Sequence, residues 1–157
     1  MRRSNWIASV VPPAVAVAVL AGCGGGSNEL GAAELVTMGD SICSQERERF
    51  DEIQAAPLTS ASVGAKQAGE LLEVAENAQA ELRDLEAPEE IRATYDRYLD
   101  ARDRVSDLLA QGKEAAEDKD GAAYGKAQEA AAADAPEREK LARQLGFRVC
   151  SQAARAP

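Results

Sequence analysis

Apolar side chains recur at alternating intervals of three and four residues through the middle of this chain. The seam consists of Ala68, Leu71, Ala75, Ala78, Leu82 and Leu85. This spacing places every member on one face of an α-helix. No segment alternates β-branched or aromatic residues with polar ones, as a half-buried strand would. Of the 135 residues from position 23 onward, 28 are alanine, the best helix former. The pattern predicts an all-α domain.

Proline, glycine and capping residues divide the domain into four predicted helices. They run from 37 or 40 to 55, from 60 to the turn at 87, from 88 to 117, and from 121 to 146. Short connections between four helices predict an antiparallel four-helix up-down bundle. Pro136 either kinks the last helix or, with Asp134 as the cap, starts a fresh segment; we favour one kinked helix. Gly146 has the position of a C-terminal cap, after which Phe147 and Val149 are expected to fold back on the core.

The first 22 residues have the three parts of a bacterial export signal. Arg2 and Arg3 are basic, the stretch from 6 to 20 is largely apolar, and small residues precede Cys23. A transmembrane anchor is the alternative, but a spanning helix needs about 20 apolar residues. This stretch is shorter and is interrupted by Pro12 and Pro13, so we favour a signal peptide.

The segment Leu20-Ala21-Gly22-Cys23 resembles the lipobox of bacterial lipoproteins at every position. The resemblance implies lipidation of Cys23, cleavage before it, and a lipid anchor on the extracytoplasmic side of the cell membrane, where two or more acyl chains hold a protein stably. Residues 24–28 are glycine-rich and polar, which is typical of a flexible linker. The predicted organisation is a signal peptide at 1–22, a lipidated cysteine and tether at 23–36, the helical bundle at 37–150 and a frayed tail at 151–157.

Lipidation of Cys23 leaves Cys43 and Cys150 as the remaining cysteines. In an oxidising compartment we expect them to form a disulfide. The up-down topology supports this pairing, because it places the start of the first helix beside the end of the fourth. The chain has no histidine, so neither a Cys-His dyad nor a zinc site with mixed cysteine and histidine ligands can form.

Several features of the domain occur together. They are Ile42-Cys43 in an early helix, a Pro-Glu-Glu turn before a helix rich in tyrosine and leucine, and Leu145-Gly146-Phe147 ahead of Cys150. With 13 arginines against 5 lysines and a high alanine content, the chain is similar to small lipoproteins of high-GC Gram-positive bacteria (actinobacteria). The resemblance implies the fold, the disulfide and the location, and it supplies no active-site residue.

The charge of the chain limits its partners. Residues 23–157 carry 16 basic and 27 acidic side chains, a net charge of −11. Nucleic-acid-binding proteins carry clustered lysine and arginine instead, so we expect no nucleic-acid partner. Phosphate loops, nucleophile elbows and dinucleotide fingerprints are missing from the sequence. The sequence therefore predicts a protein that is not an enzyme and that needs no cofactor or resident metal.

Two sets of residues are candidates for ligand binding. The first is a strip of carboxylates along helix three, formed by Asp96, Asp100, Asp103 and Asp107. Such a strip suits a hard cation such as calcium, but arginines at 97, 102 and 104 interleave with it, and we favour a solvated face of ion pairs. The second is a small-ligand pocket between helices, lined by Tyr95, Tyr98 and Tyr124. Tyrosines at core spacing more often pack, with the hydroxyl reaching the surface, and we favour packing.

These observations predict a non-catalytic, membrane-anchored lipoprotein of the cell envelope. Its helical domain is expected to bind another envelope protein or a cell-wall component through one face of the bundle. The alternative is a small-ligand or cation-binding lipoprotein associated with transport, which would use the tyrosines or the carboxylates of helix three.

Overall fold

Four α-helices form the domain in the computed structural model, which describes residues 30–152. They are α1 (Ala32–Gln54), α2 (Ala61–Arg83), α3 (Glu89–Glu117) and α4 (Gly121–Leu145). No strand occurs within the described range. The predicted antiparallel four-helix up-down bundle is therefore confirmed. The predicted signal peptide at 1–22, Cys23 and the glycine-rich residues 24–28 lie outside the described residues, as do residues 153–157.

The predicted seam of α2 faces the core. Its buried members are Ala68, Ala75, Ala78, Leu82 and Leu85, while Leu71 is half-buried. The small alanines allow the neighbouring helices to approach closely. Extensive interfaces join α1 to α2, α2 to α3 and α3 to α4, whereas α1 and α4 share no extensive interface of their own.

The helix ends follow local capping chemistry, with one correction to the prediction. Ser60 caps α2 by accepting a hydrogen bond from the Val63 N–H, and Asp120 caps α4. The predicted single helix through Pro136 is confirmed. The first helix was expected to begin at 37 or 40, but α1 begins at Ala32, so residues 32–36 are helical and do not belong to the tether. Leu35 explains the difference, because it is fully buried in the core and its burial stabilises an additional helical turn.

The chain reverses after α4 as the sequence predicted. Gly146 adopts the left-handed conformation with φ of 88°, which glycine adopts without steric cost. Its N–H donates to the carbonyl of Arg143 and the next N–H donates to that of Ala142. Phe147 is then only 2 % exposed in the core, and Val149 is partly buried.

The segment 146–152 connects the end of α4 to α1, since the two helices share no extensive interface. The predicted disulfide joins Cys43 to Cys150, with a Cα–Cα distance of 5.3 Å. The Asp40 carboxylate on α1 accepts hydrogen bonds from the N–H groups of three consecutive residues, 148–150, at 2.8–3.3 Å. Arg47 donates to the carbonyl of Val149 at 2.9 Å. The segment is thus held by a covalent bond and by charge-assisted hydrogen bonds.

Gly39 provides the space that Phe147 occupies. A Cβ atom at this position would lie 2.5 Å from Cε1 and 2.8 Å from Cζ of that ring. We expect Gly39→Ala to lower the free energy of unfolding by about 1–3 kcal/mol, because the clash forces the ring or the backbone to shift. Gly125→Ala is the matched control, since nothing lies within 4 Å of its Cβ position, and it should stabilise α4 by about 0.5–1 kcal/mol. Urea unfolding measures both; a Gly39→Ala variant as stable as the control would contradict the expectation.

Candidate functional site

The structure does not bring the three candidate tyrosines together. Tyr95 and Tyr98 are buried, with ring centroids 6.3 Å apart, and both pack against Phe147. Tyr124 on α4 lies beside Gly112 of α3. Gly112 follows Tyr98 by 14 residues on α3, so the two positions are about 21 Å apart along that helix. Tyr95 and Tyr98 are packing residues, as the spacing favoured.

The hydroxyl groups of the two buried tyrosines were expected to reach the surface, and that expectation is wrong. The Tyr95 hydroxyl donates to the carbonyl of Leu82 inside the core. The Tyr98 hydroxyl lies 3.7 Å from the Sγ atom of Cys43 and accepts a hydrogen bond from Arg102. Both hydroxyls therefore have partners without solvent, as buried polar groups require.

Arg102 was assigned to a solvated face, but only 8 % of it is exposed. Its guanidinium donates to Oε1 of Gln79 at 3.0 Å, to the hydroxyl of Tyr98 at 3.4 Å and to Oε1 of Glu46 at 2.6 Å. Its Nη1 atom also lies 4.0 Å from Cys43 Sγ. The cluster thus joins α1, α2 and α3 beside the disulfide.

A sequence signal for the burial of Arg102 exists. It follows Tyr98 by four residues and Tyr95 by seven, so all three lie on one face of α3. The charged residues on either side of Arg102 in the sequence pointed instead to the solvated face. The burial of its charge is tolerated because Glu46 of α1 forms an ion pair with it.

The remainder of the aspartate strip does not form a cation site. Asp103 accepts a hydrogen bond from Gln79 and pairs with Arg83, while the carboxylates at 96, 100 and 107 are exposed. Within residues 30–152, no group of three or more acidic or cysteine side chains is arranged to hold a metal ion. The solvated-face interpretation thus describes the exposed members of the strip but not Arg102.

Burial and neighbouring charge shift the pKa values of this cluster. Burial lowers the pKa of Arg102, but the attraction of Glu46 and the hydrogen bonds to it and to Tyr98 more than compensate, so its pKa is raised. Burial raises the pKa of Tyr98, and the adjacent guanidinium offsets only part of that increase. Burial likewise raises the pKa of Tyr95, with a smaller contribution from Tyr98. The guanidinium therefore stays charged while both hydroxyls stay neutral.

The raised pKa values of Tyr95 and Tyr98 predict that the domain loses stability at alkaline pH. Their folded-state pKa values lie above the ordinary 10.0, so above pH 10 the unfolded chain binds fewer protons than the folded chain. The contribution of the two tyrosines to the free energy of unfolding is fully present below pH 10. It falls above that pH, by up to about 1.4 kcal/mol per pH unit for each hydroxyl. Urea unfolding between about pH 9 and about pH 11 measures the slope. Tyr95→Phe should remove about half of this tyrosine contribution; an unchanged slope would contradict the assignment.

A small cleft opens beside the cluster, between α1, α3 and the segment after α4. Its volume is about 110 Å³, and its wall includes Phe50, Val105 and Leu109. Pockets for small molecules measure about 300–1,000 Å³, whereas a single water needs about 10–15 Å³. The cleft has room for a few waters, and the polar groups at its base already bind one another. We conclude that this cluster organises the fold.

Comparison of the chain with protein-family models, with curated protein sequences and with solved structures finds no match.

A much larger depression, the α1–α2 groove, lies on the opposite side of α1. Its volume is about 810 Å³. Its floor consists of Ile53 and Val74, which are partly exposed, together with the edges of Ile42 and Ala78, which are buried in the core. Its lining includes the side chains of six glutamates: Glu46, Glu48, Glu52, Glu70, Glu73 and Glu81. Arg49 is the one cation in this lining. The groove thus combines a small apolar floor with glutamate side chains from both α1 and α2.

The groove was not predicted from the sequence. Glutamates on the outward faces of α1 and α2 are visible as charge patterning, but the pattern does not show which edges will meet. That arrangement depends on the rotation of each helix about its axis and on the separation of α1 from α2.

A third cleft, of about 350 Å³, is where Tyr124 is found. It lies between the start of α2 and the turn joining α3 to α4, and its lining includes Leu58, Ala61 and Ala115. Leu58 is 60 % exposed.

Within residues 30–152, no helix is both long enough and apolar enough to cross a membrane.

Proposed function

We propose that this chain is a lipoprotein precursor, acylated on Cys23 and displayed by the cell membrane on its extracytoplasmic side as a non-catalytic interaction module. The lipobox resemblance at residues 20–23 and the similarity to small actinobacterial lipoproteins support the anchor and the location. The α1–α2 groove carries the interaction part of the proposal, because it combines partly exposed apolar side chains, Ile53 and Val74, with a charged rim, and apolar surface rimmed by polar residues is typical of protein-binding sites. The partner is an envelope protein, and the membrane is reached through the lipid.

Lipidation is tested by expressing the full chain in a high-GC Gram-positive host. The wild-type protein is expected in the membrane fraction, with the mass of a diacylglyceryl group on its N-terminal cysteine. Cys23→Ala should prevent acylation. The double variant Cys43→Ala/Cys150→Ala is the matched control and should still be acylated. An unmodified wild-type protein in the soluble fraction would refute the anchor.

Interaction is tested by lysine-directed crosslinking in intact cells. The wild-type lipoprotein should give a reproducible crosslinked partner that an unrelated lipoprotein of equal abundance does not give. Absence of any partner above that control, in cells where the protein is correctly anchored, would count against an interaction module.

The second candidate is a small-ligand-binding lipoprotein associated with transport. The cleft beside Tyr124 favours it, because its volume of about 350 Å³ falls within the range of ligand pockets. A ligand at 100 times its dissociation constant would stabilise the domain by about 2.7 kcal/mol. Thermal shifts with a panel of metabolites should then disappear in a Tyr124→Ala variant. Flat melting curves across the panel would oppose this candidate.

A further inference from the structure

The α1–α2 groove contains acidic groups that the fold leaves unpaired. Within residues 30–152, Glu48, Glu73 and Glu81 have no ion-pair or hydrogen-bond partner, and all three side chains are exposed. The remaining glutamates of the lining are engaged: Glu46 binds the buried Arg102, Glu52 pairs with Arg49, and Glu70 pairs with Lys66. Negative charge therefore remains on both edges of the groove.

The opposite side of the bundle differs in this respect. Across the α3–α4 interface, Arg97 pairs with Glu137 and Arg104 pairs with Asp134. Among the described residues, none of the glutamates that line the groove forms an ion pair between α1 and α2. The two edges of the groove consequently repel each other across an apolar floor, and a cationic occupant would relieve that repulsion.

The length of the groove suits a short helix. Its floor extends along α1 from Ile42 to Ile53, which is 11 residues or about 16 Å, equal to three helical turns. An amphipathic helix places apolar anchors on one stripe and charged residues on both flanks. Such a helix would bury its stripe on the floor and direct its basic flanks at the glutamates.

The negative charge of the chain argues against other occupants of the groove. The chain carries a net charge of −9, so a second copy of it or an anionic membrane surface would be repelled from the groove. A flexible basic segment without apolar anchors would leave the floor exposed to water. A helix that is both basic and apolar satisfies the edges and the floor together.

We infer that the α1–α2 groove is the docking surface for a basic amphipathic helix of a partner protein. This inference rests on the proposed interaction function and specifies the chemistry of the partner. Docking places apolar side chains against Ile53 and Val74, and lysine or arginine side chains beside Glu48, Glu73 and Glu81.

The test uses a photocrosslinking amino acid in the full chain, expressed and anchored in cells. It replaces Asn77, which is exposed in the lining of the groove, or Gln111, which is exposed between α3 and α4. We expect an adduct from position 77 and none from position 111. Mass spectrometry should map the adduct to a partner segment with apolar residues at helical spacing and flanking lysine or arginine.

Charge reversal then tests the electrostatic part. In the position-77 protein, Glu48→Lys/Glu73→Lys/Glu81→Lys should reduce the adduct yield by about tenfold or more, since each attraction becomes a repulsion. The matched control is Asp96→Lys/Asp100→Lys/Asp107→Lys, which makes the same change in net charge on an exposed face of α3. The control should retain the adduct. Thermal melting by circular dichroism verifies that both triple variants remain folded.

The remaining outcomes overturn the inference in distinguishable ways. An adduct only from position 111 would place the interaction on another face and leave the proposed function standing. An adduct from position 77 with a second copy of this chain, with a glycan or with an acidic segment would refute the basic helix. Equal yields from the two triple variants would refute the role of the glutamates. Failure of both photocrosslinking positions would refute docking in the groove, and lysine-directed crosslinking would separately decide the proposed interaction function.

Discussion

Replacing Arg102 with methionine is expected to lower the free energy of unfolding by about 3–5 kcal/mol. The substitution removes the cation from a buried pair and leaves the Glu46 side chain, which is only 14 % exposed, without its counter-charge. Gln79 and Tyr98 also lose a hydrogen-bond partner. Urea unfolding at neutral pH measures the effect.

Two controls separate the buried pair from ordinary ion pairs. Arg83 pairs with Asp103 at the surface, where their side chains are 53 % and 39 % exposed, so Arg83→Met should cost less than about 1 kcal/mol. The double variant Arg102→Met/Glu46→Leu should recover much of the lost stability, because it removes both charges and fills their volume with apolar atoms. Equal costs for Arg102→Met and Arg83→Met would show that burial of the charge does not matter.

Removal of the disulfide is expected to lower the free energy of unfolding by about 2–5 kcal/mol. Cys43 and Cys150 are separated by 107 positions in the sequence, and closing a loop of this length restricts the unfolded chain by about 4.7 kcal/mol in the loop-entropy model. The bridge also matters in the folded state, since α1 and α4 share no extensive interface and depend on the segment 146–152 to join them.

The measurement compares thermal melting with and without reductant. The wild-type domain should melt at a lower temperature in reductant, whereas Cys43→Ala/Cys150→Ala should melt at one temperature under both conditions. Asp40→Asn, which weakens the hydrogen bonds to residues 148–150 while keeping the bridge, should retain the sensitivity to reductant. Equal melting temperatures of the wild-type domain under both conditions would contradict the expectation.

The architecture was readable from the sequence because its signals are local. The seam from Ala68 to Leu85 repeats at the helical period, and capping residues such as Ser60 and Gly146 act on backbone groups within a few residues of themselves. The disulfide followed from counting cysteines together with the antiparallel topology. Each inference needed only neighbours along the chain or the order of the helices.

The site was less readable because it depends on contacts between distant parts of the chain. Arg102 looked like one charge in a solvated row, and only Glu46, 56 positions earlier, makes its burial tolerable. The early start of α1 depends on the burial of Leu35, which side chains from distant parts of the chain provide. Tyr124 was grouped with Tyr95 and Tyr98 by residue type, although the length of α3 separates them.

The sequence by itself determined that this chain forms four helices, where most of them begin and end, and which two cysteines pair. The periodicity, the caps and the cysteine count state these properties directly. Only the tertiary structure decided which charge enters the core and which charges line an open groove. A helical pattern shows which residues share a face, but the electrostatic environment of that face is set by the side chains that other helices place opposite it.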